Sequence, residues 1–214
     1  MPGLSPLPAK SAKSAMSDEP TPTPSAFPSA SVPASASSSP DRPRIDPVRP
    51  ADDEARALAR GLLDGARFGA LATLEPDTGH PLASRVAVAL DDDGAPLLLM
   101  SSLSAHSGAL DADPRCSLLV GEPGAGDPLA HPRLTVNGVA RRLVRDTDDG
   151  RRARDRWLAT HPRAALYVDF GDFAFRRIEC TGASLNGGFG RAWRLEAADL
   201  RPAPGDVLSG SPAA

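Results

Sequence analysis

This 214-residue chain has only two cysteines, Cys116 and Cys180, and they stand far apart in apolar runs without C-x-x-C spacing. That pattern argues against a metal knot or redox pair and for two buried thiols in a reducing cytoplasm. Excess charge is lacking too: 24 Lys and Arg against 27 Asp and Glu leave a formal net charge of −3, which makes no electrostatic case for nucleic acid. A small-molecule or protein partner is expected instead. No continuous apolar stretch follows Lys10 and Lys13, so neither a secretory leader nor a membrane span is expected. There is no G-x-S-x-G elbow, no H-E-x-x-H and no Walker sequence. The GEPGAG run from Gly121 lacks the strand-to-helix setting of a dinucleotide fingerprint and reads as a flexible connection. Asp91 to Asp93, and Asp148 with Asp149, read as turn residues and not as general acids.

What is present divides into three parts. Residues 1–49 hold many of the 23 prolines with serine and alanine and few large apolar side chains, so they cannot offset chain entropy by burial and are expected to be disordered. Met16, followed by SDEPTP, is an alternative start. Residues 50–200 are expected to form one domain and 201–214 a flexible tail. Pro50 at a first helical position, acidic Asp52 to Glu54, and Leu58, Leu62 and Leu63 at helical spacing predict a helix ended by Gly65. FGALATL, LLLM, RCSLLVG and RLTVNGVARRLV follow as strands with short connections, which argues for an antiparallel barrel. A basic helix between Thr147 and Pro162 is predicted, capped by Thr147 or Asp148, with Trp157 and Leu158 inward and its arginines solvated. Two last strands, about Phe173 to Leu185 and Phe189 to Leu195, flank Asn186, Gly187 and Gly188. The paired glycines suit either a hairpin turn or close approach to a ligand, with Phe189, Arg191 and Trp193 along one face.

The stretch from Leu82 to Leu110 carries the most chemistry. In PLASRVAVALDDDG, Val86, Val88 and Leu90 share one face, with Ser84, Arg85, Ala87 and Ala89 assigned away from it. Asp91 to Gly94 turn the chain back as PLLLM, a hairpin. In SSLSAHSGALDADP, Ser104 is placed to cap a short helix whose first turn holds His106 and Ser107 without an acidic residue. Free amides, hydroxyls and the strand arginine together read as a phosphate cradle. The plainer alternative is a serine-capped connector beside a solvated arginine.

The run from Ala83 to about Leu143, with the SLLVGEP strand end, the GDPLAHPRLTVNG connection and the final LNGGFGRAWRL, resembles the pyridoxamine 5′-phosphate oxidase-like, FMN-binding split-barrel superfamily. Its heme-utilisation-type members are the nearest branch. The resemblance implies a mainly β split barrel with flanking helices, working as a homodimer with FMN between subunits, and an oxidoreductase whose chemistry the flavin carries. By it, Ser84 and Arg85 with the Val86, Ala87 and Val88 backbone lie beside the ring, and Ser101 and Ser102 end the next strand. His106 and Ser107 stand where the oxidases use arginine and lysine for phosphate, Arg133 where they place a glutamine, and Gly188, Phe189 and Arg191 approach the site. Leu90 replaces a lysine of the oxidase pattern, which counts against a vitamin phosphate as substrate. Heme binding or degradation ranks second, because the heme branch's iron ligand is implied to lie in an added C-terminal domain and this sequence has no histidine after His161. A non-catalytic dimeric interaction module is the remaining alternative.

Overall fold

The computed structural model describes residues 48–203. The tail expected over 1–49 lies outside them except for Val48 and Arg49, as do the last eleven positions of the expected C-terminal tail. A short strand β1 (Val48–Pro50) leads into helix α1 (Asp53–Gly65). Pro50 is therefore the end of a strand and not the first helical residue. The Asp52 carboxylate instead caps the helix, accepting from Ala55 N, while Asp53 and Glu54 supply the acidic first turn.

Strands β2 (Phe68–Leu74) and β3 (Pro81–Ala87) form one antiparallel pair. Strand β4 (Ala89–Leu90) then pairs with β5 (Pro96–Ser101), so the chain from Leu82 to Met100 is not one hairpin. It breaks at Val88, whose N–H donates to Arg67 O and whose carbonyl lies 2.8 Å from His161 Nε2. Past the break the alternation changes. Arg85 and Ala87 are exposed, but Ala89, Leu90 and Asp91 are all buried, and Ser84 falls on the half-buried Val86 side instead. The acidic turn forms as expected, with Asp91 N donating to Ala95 O, Gly94 N to Asp91 O, and Gly94 at φ +82°.

Helix α2 (Ala105–Ala112), β6 (Arg115–Val120), β7 (Arg133–Arg142), helix α3 (Asp148–Thr160), β8 (Phe173–Asn186) and β9 (Ala192–Glu196) complete the chain. The sheet runs β1-β9-β8-β7-β6-β2-β3, and β5 joins it through β8. The long β8 pairs with β7 along its length, with β5 over its first residues and with β9 over its last, which bends it around the core. Every ladder is antiparallel but β1–β9. The result is a mainly β split barrel flanked by helices. Leu71, Leu98, Leu118, Leu134, Ile178 and Leu185 fill it, closed at one end by Ala55, Ala59 and Leu63 of α1.

A second, smaller core lies under α3, where Trp157 and Ala153 pack on Ala89, Leu97 and Phe175. Thr147 caps α3, accepting from Gly150 N. The α3 arginines are not uniformly solvated. Arg156 is 3% exposed and donates to Leu90 O, and Arg152 reaches Asp91. Asp91 is correspondingly not a simple turn residue: its side chain is 3% exposed and accepts from both Arg152 and Arg177. Burial pulls its pKa up, but hydrogen bonds from Arg152, Asp92 N and Arg177 outweigh that and leave it below the usual carboxylate range.

Candidate functional site

Alternation along β2 turns Phe68, Ala70 and Ala72 outward, and small residues keep that surface flat. Gly69 is needed where β2 crosses β6, because a Cβ there would lie 2.7 Å from Leu119 O. Above this surface opens a cleft of about 760 Å³ between the end of α1, the start of β2, β3 and the end of β6. Glycine, alanine and aliphatic side chains form most of its walls, with Ser84, Arg85, Arg67 and Glu122 as the polar exceptions. Its volume is that of a drug-sized or cofactor-sized site.

Arg85 stands in this cleft with its guanidinium carbon 5.6 Å from the centroid of the Phe68 ring. Among the described residues that cation–π contact is its one partner. Arg67, in contrast, is held by the end of α1, donating to Asp64 O and Ala66 O. Val86 and Val88 point into the barrel core, and Ala87 is exposed.

Within the chain, the hydroxyls of the serine-rich loop bond mostly to one another's backbone. Ser104 has the backbone of a helix cap but makes no side-chain cap; its hydroxyl donates to Ser101 O, as does that of Ser107, which is 3% exposed. The Ser101 hydroxyl donates to the Asp172 carboxylate at 2.7 Å, and Ser102 N donates to Asp172 O. His106 is half-buried, and burial followed by the nearby Arg176 cation pushes its pKa below the ordinary histidine value. At this end of α2 the hydroxyls of Ser101, Ser104 and Ser107 are thus satisfied within the chain, and the Asp172 carboxylate stands beside Ser101.

Arg133 donates to Leu129 O and His131 O. It lies opposite Asn186 in the β7–β8 ladder, beside the glycine turn. There Gly188 has φ +101°, and a Cβ would come 2.7 Å from Ala130 O, so the paired glycines serve a tight turn against the neighbouring loop. Phe189 is 97% exposed and does not share a packed face with the buried Trp193. Arg191 pairs with Glu54 at 2.5 Å and lies 5.2 Å from the Trp193 ring.

Within one chain the expected residues therefore form three groups. Ser84 and Arg85 share the cleft; Ser101, Ser102, His106 and Ser107 surround the start of α2; Arg133, Gly188, Phe189 and Arg191 sit at the β8–β9 turn. No α2 residue lines the cleft that holds Arg85. Sequence reasoning missed Arg67, Phe68 and Glu122 as cleft residues and Asp172 as the partner of Ser101. The outward face of FGALATL was a readable signal for Phe68, whereas the Asp172 contact spans 71 residues and left none.

A split barrel with an arginine-bearing strand at its edge defines the class, and comparison with known proteins defines the family. The family described as pyridoxamine 5′-phosphate oxidase matches residues 52–186, and this chain belongs to it. Over 123 residues it is 43% identical to HOZ, a chloroplastic heme oxygenase of Arabidopsis thaliana, a match covering 56% of this chain and 36% of that protein. Among solved structures it is similar to a heme binding protein from Mycobacterium smegmatis, with 34% identity, a TM-score of 0.64, and 72% of this chain and 61% of that one covered. It matches a protein from Agrobacterium tumefaciens at 33% identity and TM-score 0.64, covering 72% and 62%. The chain thus spans little more than a third of the curated relative and under two thirds of each of these structures. The resemblance read from the sequence, heme-utilisation branch included, is borne out. Among the described residues no helix is long and apolar enough to cross a membrane.

Proposed function

We propose that this chain is a heme-binding member of its family, with the macrocycle in the cleft beside Arg85. The carrying observation is an arginine without a carboxylate partner among the described residues, standing over the Phe68 ring beside the small side chains of a cleft of about 760 Å³. A planar, largely apolar ring bearing carboxylates suits such a site, because the wall accepts the ring and a guanidinium takes a carboxylate in paired hydrogen bonds. The heme-related names of two relatives, at 43% and 34% identity, support the same reading. Heme, when bound, supplies iron redox chemistry; the residues here hold its edge and exclude water from one face. Heme degradation is the finer reading that the plastid relative supports.

The flavin oxidoreductase reading draws less support. An FMN phosphate would meet serine hydroxyls already committed to Ser101 O and the carboxylate of Asp172. A homodimer expected from the resemblance is kept as a proposal.

Titrating the purified full chain with hemin, and separately with FMN, tests this. Saturable hemin binding is expected, weakened about tenfold or more by Arg85→Ala, the order expected for one charge-assisted contact. A bound-flavin spectrum with no hemin binding would refute the proposal.

A further inference from the structure

The walls of the cleft have a second property, which concerns iron. Among the residues that line it there is no histidine, cysteine, methionine or tyrosine; its ionisable side chains are Arg67, Arg85 and Glu122. Among the described residues the other donors to heme iron can be followed one by one: the four histidines, both cysteines and the one tyrosine all lie there, as does Met100, which is buried in the barrel core.

His80 sits at the β2–β3 turn, beside the Leu74–Pro81 end of the ladder, while the cleft lies at the Phe68–Ala87 end. His106 is on α2, beside Arg176. The Nε2 of His161 is engaged with Val88 O at 2.8 Å, and that of His131 with Ala125 O at 3.0 Å. Cys116 and Cys180 face each other across Gly138 in successive ladders of the barrel wall. The Tyr167 ring packs against Phe173, 5.3 Å between centroids. What the cleft does offer is the Arg85 guanidinium over Phe68, the Arg67 guanidinium held by the carbonyls of Asp64 and Ala66, the Glu122 carboxylate, and the small side chains of Ala70 and Ala83.

We infer that the cleft recognises a tetrapyrrole through its carboxylates and its apolar face and not through its metal, so that the metal-free ring binds as well as the iron-loaded one. This rests on the tetrapyrrole reading of the same cleft and narrows it to a ligand class: planar dicarboxylic tetrapyrroles whatever their central atom. An acid group finds the Arg85 guanidinium, and the ring finds a wall, without a bond to iron being required.

Hemin, protoporphyrin IX and protoporphyrin IX dimethyl ester are titrated into the full chain, with absorbance and intrinsic-fluorescence quenching as readouts. Hemin and protoporphyrin IX are expected to bind within about threefold of one another, and the ester at least about tenfold more weakly, since it keeps the ring and loses the charges. Arg85→Ala should weaken both acids alike and leave the ester unchanged, and Arg85→Lys should restore part of the loss. The bound-hemin spectrum should be the same in His131→Ala and His106→Ala as in the parent. Protoporphyrin IX binding more than about tenfold weaker than hemin, or a hemin spectrum altered by either histidine variant, would overturn the inference while leaving heme binding intact. Failure of all three ligands to bind would instead remove the tetrapyrrole reading itself, and this one with it.

Discussion

Replacing Asp91 by alanine is the perturbation for which the structure gives the clearest magnitude. Its carboxylate is 3% exposed, accepts from Arg152 Nε and Arg177 Nε at 2.9 Å each, and holds α3 and β8 to the turn after β4. Removing one member of a buried ion pair typically costs about 3 to 5 kcal/mol, because the other charge is stranded. Here neither arginine is fully stranded. Arg152 is 37% exposed and keeps Asp149 at 2.9 Å, and Arg177 is 24% exposed and keeps Asp93. The expected loss is therefore lower, about 2 to 3 kcal/mol. With a urea slope of about 2 kcal/mol per molar for a domain of this size, the unfolding midpoint should fall by roughly 1 to 1.5 M. The pH dependence has a definite sign. The pKa of Asp91 is lower folded than unfolded, so its contribution is complete above the ordinary carboxylate range and disappears as pH falls through the folded value. The gap between parent and variant should stay constant from neutral pH down to about pH 5 and close under stronger acid. A midpoint unchanged within about 0.25 M at pH 7, or a gap that widens on acidification, would show that the cluster is ornamental.

Two more outcomes are expected at the barrel wall. Gly138→Ala would put a Cβ 2.5 Å from Glu179 O and 2.6 Å from Ile178 Cγ2, so a loss of about 2 to 3 kcal/mol in urea unfolding is expected; no loss would mean that the bulge there relaxes freely. Burial pushes both cysteine thiols up to about 11, so near neutral pH only about one thiolate in ten thousand is present, and a disulfide reagent should react slowly until pH passes about 9 or the chain is unfolded. Rapid reaction of either thiol in the folded chain at pH 7 would contradict that environment.

The sheet was legible because its signals are local. FGALATL alternates over seven residues, Thr147 stands before a helical run, and Asp91 to Gly94 announce a turn. The break at Val88 was not legible, since the valine-alanine alternation continues straight through it and only the contacts to Arg67 O and His161 mark it. The same limit governs the site. Arg85 could be singled out as a cation among small residues, but the fate of the serine loop depends on Asp172, and that of the α3 arginines on Asp91, each a long-range pairing with no local trace. Pro50 misled for a related reason: its fixed φ suits a helix start and an edge strand equally, and pairing with β9 decided between them.

The interruption after Ala87 means that one continuous peptide is shared between two unlike neighbours, its first half claimed by β2 and its second by β5. Both polar groups of the joint are tethered, one to the segment after α1 and the other to the residue capping α3. Two helices distant in the chain thereby fix how the edge ribbon bearing Arg85 leans against the rest of the barrel. Substitutions at the end of α3 would then change the angle at which a ligand is gripped without touching it.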